Sequence, residues 1–110
     1  MFRKLALSFP EAVEAPHFEK ASFRVAKRIF ATLSATDHQA CVKLSEIDQS
    51  VFCAFDKAVI FPVPNKWGKQ GWTLINLKSV KKAMLLDALA AAYCSVAPGR
   101  LSTGIRNKRS

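Results

Sequence analysis

The sequence predicts a two-layer α+β domain, with helices on one face of an antiparallel sheet of about five strands. Three observations carry this. Between Ala21 and Leu44 three segments alternate apolar and polar residues across short links, and strands joined so closely run antiparallel, because a parallel crossover needs a dozen residues or more. Two segments with helical spacing follow Ser45 and Ser79. Between them, two apolar runs flank a tip bracketed by Gly68 and Gly71. The expected order is α-β-β-β-α-β-β-α, and helices segregated to one face of such a sheet define the class.

Each element has its own signal. Phe2, Leu5 and Phe9 share a helical face over residues 1–8, and Pro10 stops that helix. Residues 11–19 are acidic and hold Pro16 and His17, which reads as a surface loop. Phe23 and Val25 set one face of a strand over 21–25, and Ile29, Ala31 and Leu33 one face of the next over 28–33, with Ala26 and Lys27 as the turn. After a polar turn, Val42 and Leu44 point together from a strand over 39–44. Ser45 can cap a helix, with Asp48 as the acidic member of a capping box and Ile47, Val51, Phe52 and Phe55 along one side.

The most informative stretch is the hairpin, or wing, that follows. Strands over 58–63 and 72–77 enclose an exposed tip, Asn65 to Gly71, which carries Lys66, Trp67, Lys69 and Gln70. Thr73, Ile75 and Leu77 face one way and Trp72, Leu74 and Asn76 the other, and alternation alone leaves open which set meets the core. Ser79 is the expected cap of a final helix reaching about Val96, with Leu85, Leu89, Ala92 and Val96 as its core stripe. Leu86 and Ala90 fall opposite, exposed or in contact with a second subunit, which leaves room for a homodimer. From Pro98 periodicity stops, so the division is a domain over 1–98 and a flexible basic tail over 99–110.

Charge narrows the partners. The 110 residues carry a formal charge of +9 with 50% hydrophobic content, ample for one packed core. Bases and acids cancel over residues 1–56, whereas Lys57, Lys66, Lys69, Lys78, Lys81 and Lys82 follow without an acid among them. The wing and the helix after it are thus the basic half, either a solvated face or a site for a polyanion. No apolar run reaches the ~20 residues that span a bilayer, and the N-terminus lacks a signal-peptide pattern, so the expected setting is cytoplasmic, away from membranes. Cys41, Cys53 and Cys94 are odd in number and widely spaced, the pattern of buried reduced thiols rather than disulfides or a zinc site.

Pro16-His17-Phe18, Ala21-Ser22-Phe23-Arg24-Val25, Ile29-Phe30-Ala31-Thr32-Leu33 and above all Trp67-Gly68-Lys69-Gln70-Gly71-Trp72 resemble the MmcQ/YjbR-like family of small bacterial proteins, in order from about Ala6 to Pro98. The resemblance implies a CyaY-like, or frataxin-like, fold. It also implies a DNA-binding role, which the family owes to a likeness in shape to the double wing of a phage transcription factor, a fold-level analogy. Two features depart from the family pattern: the first helix is shorter, and Lys27 stands where a turn glycine is common.

Chemistry adds little beside that. His17, between Glu14 and Glu19, is a ligand candidate or a turn residue, and its spacing matches no metal-ligand pattern. No nucleophile-base order, phosphate-binding glycine loop or paired-cysteine motif is present, so neither enzyme activity, a metal nor a cofactor is expected. The two tryptophans either stack on bases or pack the wing to the domain. The leading reading is a DNA-binding protein, DNA favoured over RNA, in which Lys66, Lys69, Lys78, Lys81, Lys82 and Arg24 or Arg28 meet phosphates while Trp67 and Gln70 enter a groove at the wing tip. The alternative is a protein-interaction or small-ligand module using the Trp67 to Trp72 surface and a cleft near His17.

Overall fold

The computed structural model describes residues 2–17, 20–34 and 36–101. Its elements are α1 (Phe2–Leu7), β1 (Val13–His17), β2 (Lys20–Val25), β3 (Arg28–Ser34), β4 (Gln39–Lys43), α2 (Glu46–Phe55), β5 (Ile60–Pro62), α3 (Lys66–Lys69), β6 (Trp72–Asn76) and α4 (Lys82–Val96). The six strands form one fully antiparallel sheet in the order β1-β2-β3-β4-β6-β5. The two-layer α+β expectation holds, with one strand more than the sequence pattern gave.

Pairing register converts alternation into two faces. Across the strands, Phe23, Ala31, Val42 and Thr73 form one row, and Ala21, Leu33, Ala40, Ile75 and Ile60 the next. These rows meet the helices: α4 lies over β3 and β4, and α1 packs against α4 and β3. The alanines of α4 allow the close approach, with Ala88, Ala90, Ala91 and Ala92 all buried. One extra residue in β3, where Phe23 pairs with Ala31 but Arg24 with Ile29, is a β-bulge at Phe30. It puts both Phe30 and Ala31 into the core. There Phe30 meets Tyr93 edge-on at 5.6 Å, and Phe9 stacks on Tyr93 at 5.0 Å. The Tyr93 hydroxyl then donates to the Pro10 carbonyl at 2.7 Å, tying the chain after α1 to α4.

Five expectations need correction. Residues 13–17 are an edge strand rather than a loop, and Pro16 is tolerated there because an edge residue need not donate on its outer side. The wing tip is not an extended loop but folds into α3, whose start is capped by the Asn65 side chain accepting from the Trp67 N–H at 2.8 Å. Ser79 does not cap α4. Asn76 captures that segment, its carbonyl accepting from Ser79 and Val80 and its side chain from the Lys78 N–H, so the helix starts only at Lys82. Ala90 is buried, unavailable to a second subunit, while Leu86 is 39% exposed. Most of the apolar stripe of α2 faces outward, with Ile47 77%, Val51 51% and Phe55 68% exposed and only Phe52 buried.

The position of α2 explains that stripe. The sheet centre is taken by α4, so α2 sits at the β5 edge. Ser45 caps it as expected, accepting from the Asp48 N–H at 3.1 Å. What ties it to the wing is polar: the Gln49 amide lies 2.8 to 3.3 Å from the Gly68 carbonyl, the Thr73 hydroxyl and the Trp72 carbonyl.

The first residues of the stretch expected as tail are folded. Residues 99–101 continue as a helical turn, and Arg100 pairs with Glu11 at 2.8 Å. Residues 102–110 lie outside the described residues, as does the His17 side chain. None of the three cysteines is in a disulfide. Among the described residues no helix is long and apolar enough to cross a membrane.

Candidate nucleic-acid interface

With α1 and α4 packed on one side of the sheet, the other face lies open apart from the wing. Its side chains follow from the same register: Ser22, Thr32, Cys41, Leu74 and Phe61 form the central row, Arg24 and Ile29 lie on one side of it together with Lys43 and Trp72, and Gln39 and Asn76 on the other. The question left by alternation in β6 is thereby settled. Thr73 and Ile75 are buried, and Trp72 and Leu74 look outward.

The wing turns this face into a groove. A side chain on Gly68 would strike the Val63 carbonyl, and one on Gly71 would strike the carbonyl of Leu44; Gly71 also needs φ +105°. The chain therefore folds back tightly at both glycines, and the Lys43 ammonium donates to the Gln70 carbonyl from the sheet. This holds α3 at the rim, with Trp67 48% exposed. The resulting groove, about 650 Å³, is lined by Trp67 and Val63 from the wing, Trp72 and Leu74 from β6, Gln39 and Cys41 from β4, Ile29 and Thr32 from β3, and Lys20. That volume falls within the roughly 300–1,000 Å³ of small-ligand sites.

Its electrostatics are one-sided. None of the lining residues is acidic. Cys41, the one thiol among them, is pushed up to about 11 by burial, against the opposing pull of the nearby Lys20 charge and a hydrogen bond from the Thr73 backbone, so it stays neutral at physiological pH. Lys20 borders the groove, and the Lys66 ammonium lies 5.7 Å from the Trp67 ring centroid. Arg24 stands on the same open face, its guanidinium donating to Ser22 at 3.1 Å.

The basic residues named from sequence do not all meet. Lys66, Trp67, Lys69 and Gln70 share the wing tip, at the Trp72 end of β6. Lys78, Lys81 and Lys82 leave its other end, about 13 Å along the strand at ~3.3 Å per residue. Lys81 and Lys82 belong to the helix layer. Arg28 pairs with the buried Val25 and so lies on the opposite face from Ile29, at the exposed hairpin end. The expected platform is split, and the groove's face carries Arg24, Lys43, whose ammonium donates to the Gln70 carbonyl, and Lys20, a residue that charge counting overlooked because it sits in the neutral half of the sequence. His17 ends β1 by its backbone, while Glu14 pairs with Arg3 at 2.8 Å. Among the described residues no group of three or more His, Cys, Asp or Glu converges where it could hold a metal.

Comparison with known proteins places this geometry. Residues 7–95 match the family model described as YjbR. The crystal structure of Deinococcus radiodurans protein DR2400, of the DUF419 type, is similar at a TM-score of 0.75 with 19% identity, covering 96% of this chain and 83% of that one. Likeness at that identity bears on the fold alone. No curated protein matches the chain.

Proposed function

The chain belongs to the YjbR family, and from that premise we propose that it is a DNA-binding protein, without catalytic activity of its own, that meets DNA with the open face of its sheet and the adjoining wing tip. One observation carries the reading: an acid-free groove lined by both tryptophans and bordered by Lys20, with Lys66 at the wing and Arg24 on the same face. Phosphates would be held by Lys20, Arg24, Lys66 and Lys69. Such contacts position the nucleic acid and carry no sequence information. Relative to the grouping expected from sequence, Lys78, Lys81 and Lys82 drop out, because they leave the far end of β6.

A salt titration of DNA affinity by fluorescence anisotropy tests the reading. Neutralisation of about four phosphates gives a slope near −3.6 of log affinity against log salt for duplex, or near −2.8 for a single strand. Reversing Lys66 and Lys69 to Glu is expected to remove about half of that slope, leaving near −1.8 for duplex, whereas reversing Lys81 and Lys82 leaves it nearly unchanged. A flat salt response in the parent protein overturns the reading.

The size of the groove favours a second reading, a module for a small aromatic ligand with no nucleic-acid role. It predicts a co-purifying small molecule that quenches tryptophan fluorescence, and no DNA retention at physiological salt.

A further inference from the structure

Resting on the DNA-binding reading, we propose that the groove on the open sheet face takes an unpaired nucleobase, so that the protein's preferred partner is single-stranded rather than duplex DNA. The floor decides this. Leu74 rises from the middle of β6 and Trp72 from its wing end, with Cys41 on the adjacent β4 and Ile29 on β3 beyond it, while Trp67 forms the wall from α3. In a duplex the flat faces of the bases are covered by their neighbours in the stack, so only phosphates and groove edges reach a protein surface. Of the parts of a DNA molecule, the one that can cover an aromatic floor of this kind is a base that has left the stack.

The remaining lining residues fit the same occupant. Thr32 and Gln39 are the neutral polar groups of the groove, and neither side chain is engaged by another described residue. A carboxamide offers a donor and an acceptor side by side, the pair that matches a base edge. A neutral Cys41 keeps the floor uncharged at neutral pH. Cations occur at the margins, where the phosphates flanking an inserted base would lie: Lys20 at one side and Lys66 beside Trp67. A purely apolar occupant would leave Thr32, Gln39 and Lys20 without partners, and a bare polyanion would leave both indoles without any.

The full chain is titrated with a labelled single-stranded oligonucleotide and with its duplex, at several salt concentrations, for the parent, Trp67→Ala and Trp67→Phe. The expected result is a preference for the single strand of about tenfold in the parent, lost in Trp67→Ala and largely kept in Trp67→Phe, with the salt slope unchanged in both variants. Trp67 is half exposed on a four-residue helix, so its replacement spares the core. A far-UV circular dichroism spectrum and a cooperative thermal transition matching the parent show that each variant is folded. Equal or tighter binding of duplex by the parent, or a single-strand preference that survives Trp67→Ala, overturns the inference and leaves the DNA-binding reading standing. Failure of the parent to bind either form overturns both.

Discussion

The β2–β3 turn makes a measurable claim about stability. Ala26 and Lys27 both have positive φ, 51° and 68°, which is the requirement of a type I′ turn. An L-residue with a Cβ pays roughly 1–2 kcal/mol for left-handed backbone, and glycine does not. Glycine's extra freedom in the unfolded chain takes back about 0.5–1 kcal/mol. Lys27→Gly is therefore expected to stabilise the domain by about 0.5–1 kcal/mol. At ~2.1 cal/mol/K of unfolding entropy per residue, this raises Tm by about 2–4 °C. Thermal unfolding followed by circular dichroism measures it, with Lys27→Ala as the control that removes the same charge but keeps the strain. The control is expected within about 0.5 kcal/mol of the parent. A Tm for Lys27→Gly at or below that of Lys27→Ala would refute the attribution of the cost to backbone conformation.

Three further outcomes follow from the same geometry. Gly71→Ala combines a forbidden φ with a clash against the Leu44 carbonyl, and should lose about 2–5 kcal/mol in urea unfolding. Tyr93→Phe removes the 2.7 Å bond to Pro10 and should cost about 0.5–1 kcal/mol, toward the low end because Pro10 lies exposed to water. Burial raises the Cys41 thiol above its unfolded value, so the stability it adds is complete below pH ~8.5 and declines as pH rises through about 11. Cys41→Ala should accordingly flatten the fall in urea midpoint between pH 8.5 and 10.5 relative to the parent, and Cys41 should resist alkylation at pH 8.

Much of the fold could be read from the chain because its middle strands alternate: Phe23 and Val25, Ala31 and Leu33, and Val42 fall on the helix side, whereas Ile29, expected beside Ala31, is turned to the open face by the bulge at Phe30. The edge strand could not. Val13–His17 has two acids or bases and a proline in five positions, and its backbone pairing with β2 is invisible to any pattern of side chains. The open face escaped for a different reason. Both sides of β6 are apolar, so the role of Trp72 depends on where α4 lands, which is a tertiary fact. The lysine platform shows the limit of counting charge along a sequence. Neighbours across Asn76, such as Leu74 and Lys78, are separated in space by the turn that this asparagine builds. Lys20, remote in sequence, is what the sheet brings beside the groove.

A single carboxamide on α2 reaches through the edge of the sheet to three acceptors at the base of the wing. The wall that carries Trp67 is thereby tied to a helix packed at the β5 edge, whose stripe of Ile47, Val51 and Phe55 is turned outward. Gln49 thus joins Lys43 in fastening the wing to the body of the domain, from a residue that does not itself line the groove.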